Sequence, residues 1–419
     1  MNSRSVLIEQ LLAKGVSIPT PESVEIDKRI SIDRISGDGV VIHAGCRIYG
    51  ASTFIAGNVS IGREGPATVQ NCQIGPEVNL GGGYFCDAVF LEGARTGANA
   101  HVREGTIMEE NSSLAHAVGV KQTILFPFAT LGSLINFCDC LLAGGTDSKN
   151  HSEVGSSFIH FNFSPNQDKA TPSLFGDVPR GVMLRQRPVF LGGQGGVVGP
   201  LRLTFGSVTA AGTICRKDEL SSGKLIFGKT LKGGTLDYSP GIYPDINRIV
   251  ANNINYIASL VALMRWYEEV RSQFMHPVRF PNALLEGLKE KIRMGLAERI
   301  RRFEELCDKM PYSISLLPHE NDRPMILLDR KQELFDKKEI VSELLRLMFK
   351  TEAGDEQTKN KFLEGLNQTR LESGPDYLST IKALKQTDVN LGTIWLRSVV
   401  DAVVDRIGDV LPTFSLMIT

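Results

Sequence analysis

A cluster of arginines in the middle of the chain has the composition of an anion site. Arg180, Arg185 and Arg187 occur within eight residues, inside a segment, 164–189, that interrupts the pattern around it. Guanidinium groups bind phosphate oxygens through paired, charge-assisted hydrogen bonds. The segment could therefore hold the phosphates of a nucleotide or of coenzyme A, or it could be a solvated loop that turns at its proline and glycine. Both interpretations stay open at this level.

Histidines supply the candidate acid–base chemistry. His160 precedes Asn162 by two residues, so on a strand the two side chains share a face, and we take both as candidate catalytic residues. His116, five residues before Lys121, is a second candidate base. A base must come within hydrogen-bond distance of the proton that it removes, and either histidine could instead be a surface or packing residue. The motif Cys138-Asp-Cys140 is too tightly spaced for the usual zinc pairs, so we expect no metal.

The elements that must position these side chains are predicted by a six-residue repeat. Between Val41 and Lys217, every sixth residue is apolar far more often than the 42% of the whole chain, and small residues that permit turns stand between. Such a period is typical of a parallel β-helix, in which each short strand sends one aliphatic side chain inward. An antiparallel β-sandwich would need two-residue alternation and hairpin dipeptides, of which few are visible. We therefore predict stacked coils that bury a common core.

Composition excludes several classes of function. A net charge of −1 and a pI near 6.7 argue against a nucleic-acid partner. No apolar run reaches the roughly 18 residues of a membrane span, and the N-terminus lacks a secretory signal. Seven widely spaced cysteines suit a reducing compartment. We expect a cytoplasmic protein without a membrane partner.

The repeat and a later change to helical periodicity divide the chain. We predict a capping helix and linker over 1–20, a β-helix over 21–222 with the inserted loop 164–189, a linker over 223–243, and a helical domain over 244–419. Apolar residues at three- and four-residue steps predict two long helices, one capped by Asp245 and one beginning near Asn282, paired as an antiparallel hairpin. The short apolar run Met325–Leu328 is a candidate strand.

Three stretches resemble a known family. They are Pro21–Asp27, Val154–Phe163 and, most specifically, Val197–Asp218. They resemble the left-handed hexapeptide-repeat acyltransferases, and most closely the acetyltransferase half of the bifunctional N-acetylglucosamine-1-phosphate uridylyltransferases. The resemblance covers about 200 residues and leaves the C-terminal helices without a counterpart. The N-terminal 20 residues cannot contain the Rossmann-like domain that uridylyl transfer requires, so we expect that activity to be absent.

The resemblance implies an acyl donor, acetyl-coenzyme A or another acyl-coenzyme A, and an acceptor that is an amino sugar phosphate or nucleotide sugar. Two positions match the cations that hold the sugar phosphate in the family, Arg103 and Lys121, while Asn162 matches the family's asparagine. Asn136 stands where the family has a tyrosine. Ser133 replaces the family's histidine base, and a serine of ordinary pKa is a poor base.

The same resemblance implies where the coenzyme and a neighbouring subunit would bind. Gly193 stands at a serine position on the coenzyme side, Ala210 and Ala211 match small residues against the thiol, and Lys217 matches a basic residue near the phosphates. In such transferases an extended loop often reaches the neighbouring subunit and completes its site. Here that loop would bring Arg185 and Arg187.

Two functions therefore remain open from the sequence. One is a coenzyme A dependent acyltransferase; the other is a catalytically inactive nucleotide-sugar binding, regulatory or scaffold protein on the same fold, which the loss of the histidine favours. The family implies a homotrimer with sites between subunits. The helical hairpin could add a three-fold bundle or cover the last coil of its own chain.

Overall fold

A parallel β-solenoid followed by an all-helical region makes up the protein, as the repeat predicts. The structure, a computed structural model, describes residues 3–228, 234–235, 238–275, 282–316, 325–351 and 354–416. Within these ranges the solenoid has three parallel sheets of ten, ten and eight strands. A complete coil adds one strand to each sheet, and the first and last coils have only an isolated bridge on the third side. The chain passes from the first sheet to the third, then to the second, and back to the first.

The strands are short, which is what one inward residue per hexad requires. The first sheet comprises Glu25–Ile26, Arg47–Tyr49, Ala67–Gln70, Gly83–Cys86, Ala100–Val102, Gly119–Lys121, Asn136–Cys138, Ile159–Phe161, Gly196–Val198 and Ile214–Cys215. The second comprises Val41–Ile42, Ser60–Ile61, Asn79–Leu80, Arg95–Thr96, Ser113–Leu114, Thr130–Leu131, Glu153–Val154, Phe190–Leu191, Val208–Thr209 and Leu225–Ile226. The third comprises Phe54–Ile55, Gln73–Ile74, Ala88–Phe90, Thr106–Met108, Ile124–Leu125, Cys140–Leu142, Ser173–Phe175 and Leu201–Leu203.

Corners between sheets turn on residues that tolerate left-handed backbone. Asn58, Asn99 and Asn111 have φ of 57°, 58° and 55°, a conformation that asparagine adopts several times more often than most residues. At one end, helix α1 (Ser3–Lys14) covers the first coil, with Ile8 and Leu11 buried in the solenoid core.

The C-terminal region is built from helices. The short helix α2 (Val178–Gly181) lies within the solenoid. The helices of the C-terminal region are α3 (Asn247–Glu269), α4 (Ala283–Cys307), α5 (Met310–Ser315), α6 (Met325–Asp336), α7 (Lys338–Lys350), α8 (Glu356–Ser373), α9 (Tyr377–Ala383) and α10 (Gln386–Val410). The two long predicted helices appear as α3 and α4, which pack together. The predicted strand at Met325–Leu328 is wrong, because those residues open α6; an apolar run this short does not distinguish strand from helix.

The helices lie along the third sheet. In this sheet alternate residues are buried on opposite sides: Phe90 and Met108 face the solenoid core, whereas Val89 and Ile107 join the core of the helical region. Helices α3 and α4 cover the outer side. One face of the prism is thereby closed, and the first and second sheets keep outward faces bearing partly exposed apolar and polar side chains.

Buried polar pairs tie the helices to this face. The Tyr267 hydroxyl donates to Glu109 Oε1 at 2.6 Å, and Arg271 pairs with Glu110. Burial raises the pKa of Glu109 to about 7. Because an unpaired buried charge is costly, these pairs make the docking geometry specific.

The segment 164–189 is packed, not solvated. It contributes the third-sheet strand Ser173–Phe175 and helix α2, and Val182, Met183 and Leu184 are buried in the core of the helical region. The interpretation as a solvated loop is therefore wrong for this part of the segment. A two-stranded antiparallel hairpin, Gly145–Asp147 with Asn150–His151, precedes it. Across the described residues, no helix has both the length and the apolar character of a membrane span.

Candidate functional site

Two cations lie side by side on the outer face of the first sheet. Arg103 follows the strand Ala100–Val102, and its backbone N–H donates to Val120 O at 2.9 Å, so Lys121 occupies the adjacent rung. Lys121 Nζ forms an ion pair of 2.5 Å with Glu104 Oε1, and its side chain is 29% exposed. The two positions matched to sugar-phosphate binding are thus neighbours, with one carboxylate beside them.

The next coil continues this surface, which we call the basic face, with Cys138 and Asn136. Arg103 Nη2 lies 3.6 Å from Cys138 Sγ, and the thiol in turn donates to Asn136 Oδ1 at 3.2 Å. Asn136 is exposed, whereas Cys138 is buried. Burial raises the pKa of Cys138 to about 11, so the group is a thiol at neutral pH and offers no nucleophilic thiolate.

The corner leading from the second sheet into the first brings His116 onto Ser133. His116 Nδ1 lies 2.8 Å from Ser133 Oγ, and the Ser133 backbone N–H donates to Ser156 Oγ at 3.2 Å. These residues occupy successive coils, because Leu134 N donates to His116 O and Ser157 N donates to Ser133 O. An imidazole therefore stands within hydrogen-bond distance of the side chain that replaces the family's histidine.

Toward the last coils this corner continues with small residues, and we call the corner the His116 edge. Gln194 N donates to Ser156 O and Gly212 N to Gly193 O, at 2.8 and 2.9 Å, which places Gly193 and Ala211 on the two coils beyond Ser156. From His116 to Gly193 is three coil steps, or about 14 Å. Ala210 is partly exposed and Ala211 is exposed. A Cβ on Gly212 would meet nothing within 4 Å, so the upper edge is open.

Lys217 is exposed just past the last first-sheet strand, Ile214–Cys215. It therefore lies at the same end of the solenoid as Ala210 and Ala211, as the coenzyme-side positions require. Its contribution to binding stays a prediction.

His160 is placed inside the solenoid. Its side chain is 1% exposed, and Nε2 lies 2.7 Å from Ser173 Oγ. Burial lowers the pKa of His160 to about 4, so the ring is neutral at physiological pH. Because it faces the core, it does not reach an acceptor bound on the surface, and this position does not favour the catalytic role predicted for it.

Asn162 is half-buried and committed to a structural contact. Its Nδ2 donates to Asp139 Oδ2 at 2.6 Å, and Asp139 Oδ1 accepts from Arg299 Nη2 at 2.8 Å. The two residues predicted to share a strand face thus differ, since the strand ends at Phe161, with His160 inward and Asn162 at the corner. The catalytic role of Asn162 stays a prediction.

The arginines of segment 164–189 are separated by their contacts. Arg185 Nη2 donates to Lys382 O at 2.6 Å and Leu384 O at 3.0 Å, which ties it to the loop before α10. Arg187 is exposed beside Gly206 and Gly223, at the corner leading from the third sheet into the second. Neither arginine joins the basic face of its own chain.

Two residues of the site were not among those predicted from the sequence. Glu104, which pairs with Lys121, is recognisable only once the coils are stacked. Ser156 had a detectable signal, because Gly155-Ser156 repeats Gly132-Ser133 at the same place in the next coil. Over the ranges that the structure covers, no cluster of three metal-ligating side chains occurs.

Comparisons with known proteins point to one group of relatives. No family model matches the chain. The bifunctional protein GlmU of Thermotoga petrophila is 26% identical over 215 residues, which are 50% of this chain and 42% of that protein. GlmU of Pelobacter propionicus is 27% identical over 221 residues, 52% and 42% of the two chains, and GlmU of Paraburkholderia phytofirmans 27% over 229 residues, 53% and 44%.

The match spans less than half the length of these relatives. It accounts for about the length of the solenoid and leaves a similar length of this chain unmatched. Taken with the hexapeptide period and the three parallel sheets, the match fits the left-handed parallel β-helix acyltransferase superfamily.

Proposed function

We propose that the chain is a coenzyme A dependent acyltransferase whose acceptor is an amino sugar phosphate or nucleotide sugar. The observation that carries this proposal is the pairing of Arg103 and Lys121 on adjacent coils of the first sheet. Two cations a coil apart suit the oxygens of a phosphate group. The His116 edge, which borders the same sheet, supplies the small side chains that leave room for a coenzyme.

His116 takes the part of the missing family histidine in this proposal. When its Nδ1–H donates to Ser133 Oγ, the Nε2 lone pair is free to accept a proton. The acceptor amine or hydroxyl attacks the thioester carbonyl and passes its proton to Nε2, and the coenzyme leaves as a thiolate that takes this proton back. Ser133 then orients the ring, as partners of catalytic histidines do.

Self-association into a homotrimer fits the same scheme. The helices cover the third sheet, while the edge between the second and first sheets carries exposed apolar side chains such as Leu134 and Ile159. A neighbour packed on this edge would bring Arg185 or Arg187 toward the acceptor. Light scattering after size exclusion should give three times the 45.9 kDa chain mass; a monomer would remove this part of the proposal.

A second candidate is a binding or regulatory protein that has kept the sugar-phosphate surface and lost the chemistry. Ser133 at the histidine position favours it, and so does the ion pair that holds Lys121 to Glu104. In this second candidate the basic face binds a nucleotide sugar, and the protein does not bind the coenzyme.

Calorimetry separates the two candidates. The protein is titrated with acetyl-coenzyme A, glucosamine 1-phosphate and UDP-N-acetylglucosamine. Micromolar binding of the coenzyme with turnover supports the transferase, binding of a sugar ligand alone supports the second candidate, and silence on all three overturns both.

Variants then test the residues. We expect His116→Ala to lower kcat by about a hundredfold or more with KM little changed, and Ser133→Ala to lower it less. Arg103→Gln should raise KM for the sugar phosphate. His151→Ala, on the hairpin away from the edge, is the matched control, and equal losses in it and His116→Ala would refute the assignment.

A further inference from the structure

A cavity of about 290 Å³ lies where the last coils meet helices α3 and α10. Three separate segments each contribute an arginine to its lining: Arg180 of α2, Arg202 of the last third-sheet strand, and Arg397 of α10. Among the described lining residues, Asp177 is the single carboxylate. Positive charge therefore exceeds negative charge around a partly open space beside the third sheet, whereas the basic face lies on the first sheet.

Arg180 already has its counter-charge. Its Nε donates to Asp177 Oδ2 at 2.7 Å, its Nη2 approaches Thr204 Oγ1 at 3.3 Å, and its guanidinium packs over the Phe205 ring, 4.9 Å from the centroid. This pair accounts for the one acid in the lining. The described lining holds no second carboxylate for Arg202 and Arg397; the acids that act on them, Asp218 and Asp401, are not part of it.

Arg202 is the unusual group. Its Nε and Nη2 are buried, and neither finds a hydrogen-bond partner among the described residues. The nearby carboxylate of Asp218 is already engaged, since it accepts from the Arg202 backbone N–H at 3.0 Å and from Asn252 Nδ2 at 3.1 and 3.2 Å. A guanidinium with two buried and unpartnered nitrogens is costly, and an anion in the cavity would add negative charge beside it.

Arg397 stands at the other wall of the cavity. It is exposed on α10, and no hydrogen bond or ion pair within the described ranges involves its side chain. Ser259 Oγ donates to Asn255 O at 2.8 Å and so retains lone pairs rather than a free proton on the cavity side. The donors among the described lining side chains are therefore the guanidinium groups and the Thr204 hydroxyl, which favour a phosphate over a ligand that must itself be a donor.

We propose that this cavity binds a small phosphorylated ligand between Arg202 and Arg397. Its volume is at the lower end of ligand pockets, which suits a compact phosphate ester and excludes a whole coenzyme. Arg202 belongs to the solenoid and Arg397 to the helical region, so the bound anion bridges the two and stabilises their docking. This site is independent of the acyltransferase proposal.

Calorimetry with inorganic phosphate, in a chloride buffer, tests the site. The background is the Arg103→Gln, Lys121→Gln protein, in which the basic face no longer competes for phosphate. We expect one saturable site per chain, weakened about tenfold or more by Arg202→Gln and by Arg397→Gln. Arg406→Gln, exposed on the same helix, is the matched control and should bind as the background does.

Thermal unfolding supplies the second readout. Phosphate should raise the melting temperature of the background protein and leave that of the two cavity variants nearly unchanged. Circular dichroism checks that both variants are folded, and Arg397→Gln is informative even if Arg202→Gln is not folded, because Arg397 is exposed. Absence of phosphate binding, or binding that Arg397→Gln and Arg406→Gln leave equally intact, overturns the proposal.

Discussion

Arg299→Leu should be among the most destabilising substitutions at the junction of solenoid and helices. The guanidinium is 2% exposed, donates from Nη2 to Asp139 Oδ1 at 2.8 Å, and approaches Lys169 O from Nη1 at 3.3 Å. Leucine leaves the Asp139 carboxylate, 6% exposed, without its cation, and Asn162 remains as a neutral partner. Breaking one side of a buried ion pair costs about 3–5 kcal/mol, and we expect a loss of that size in the free energy of unfolding.

The assay uses the protein's own chromophores. Both tryptophans of the chain, Trp266 and Trp395, lie buried in the helical region, so their fluorescence in urea reports the unfolding of that region. Arg301→Leu, two residues along the same helix, is the control: its side chain is 49% exposed and pairs with Glu298 and Glu305 at 2.6 Å. A surface pair of this kind contributes about 1 kcal/mol or less.

A double variant separates the charge from the packing. Adding Asp139→Asn to Arg299→Leu removes the orphaned carboxylate and should recover a good part of the loss, because a neutral amide is far less costly to bury. The reasoning is refuted if Arg299→Leu destabilises no more than Arg301→Leu, or if the double variant is as unstable as the sum of the single ones.

Three further predictions concern stability. Glu109, with its pKa raised to about 7, stays protonated while the same group in the unfolded chain ionises, so its contribution to stability is complete below about pH 4.5 and is lost as pH rises to about 7. Glu109→Gln can still accept from Tyr267, so its free energy of unfolding should rise by up to about 3 kcal/mol relative to the wild type between pH 4 and pH 8. Equal pH profiles for the two proteins would contradict this. His160, with its pKa lowered to about 4, has the opposite effect: its contribution to stability is present above about pH 6.5 and is lost as pH falls to about 4. In His160→Gln, the free energy of unfolding measured in urea should therefore depend less on pH over that window. An unchanged pH dependence would contradict this. Gly408→Ala, where a Cβ meets nothing within 4 Å, should raise the free energy of unfolding by about 0.5–1 kcal/mol. Gly287→Ala should lower it, because its Cβ would lie 2.6 Å from Gln73 Oε1. A change of the same sign in both variants would contradict the packing described at these two glycines.

The solenoid could be predicted from local pattern because its core is periodic. Inward residues such as Ile48 and Val102 recur at a step close to six residues over most of the solenoid, and each strand pairs with the equivalent strands of the neighbouring coils. Equivalent positions then fall in register, and Arg103 and Lys121, which the resemblance matched to sugar-phosphate binding, lie on adjacent rungs. The change to three- and four-residue spacing likewise predicted helices α3 and α4.

The third-sheet strands have a sequence pattern that the six-residue repeat does not include. Its strands are apolar at successive positions, as in Val89-Phe90 and Leu141-Leu142, whereas first-sheet strands alternate, as in Arg47-Ile48-Tyr49. A strand that is apolar on both faces has to be covered on both. This pattern points to the face on which the helices dock, although it does not say which helices cover it.

What the sequence determined by itself is the repeating coil and the helical nature of the C-terminal region, because each depends on spacing along the chain. The binding positions that the resemblance implies stay predictions. The tertiary structure alone decided that His160 faces the core, that His116 meets Ser133 from the preceding coil, and that Arg202 and Arg397, 195 positions apart in the sequence, line one cavity. These depend on which coil stacks on which and on how the helices dock, and side chains from distant segments are brought together only when those surfaces are buried.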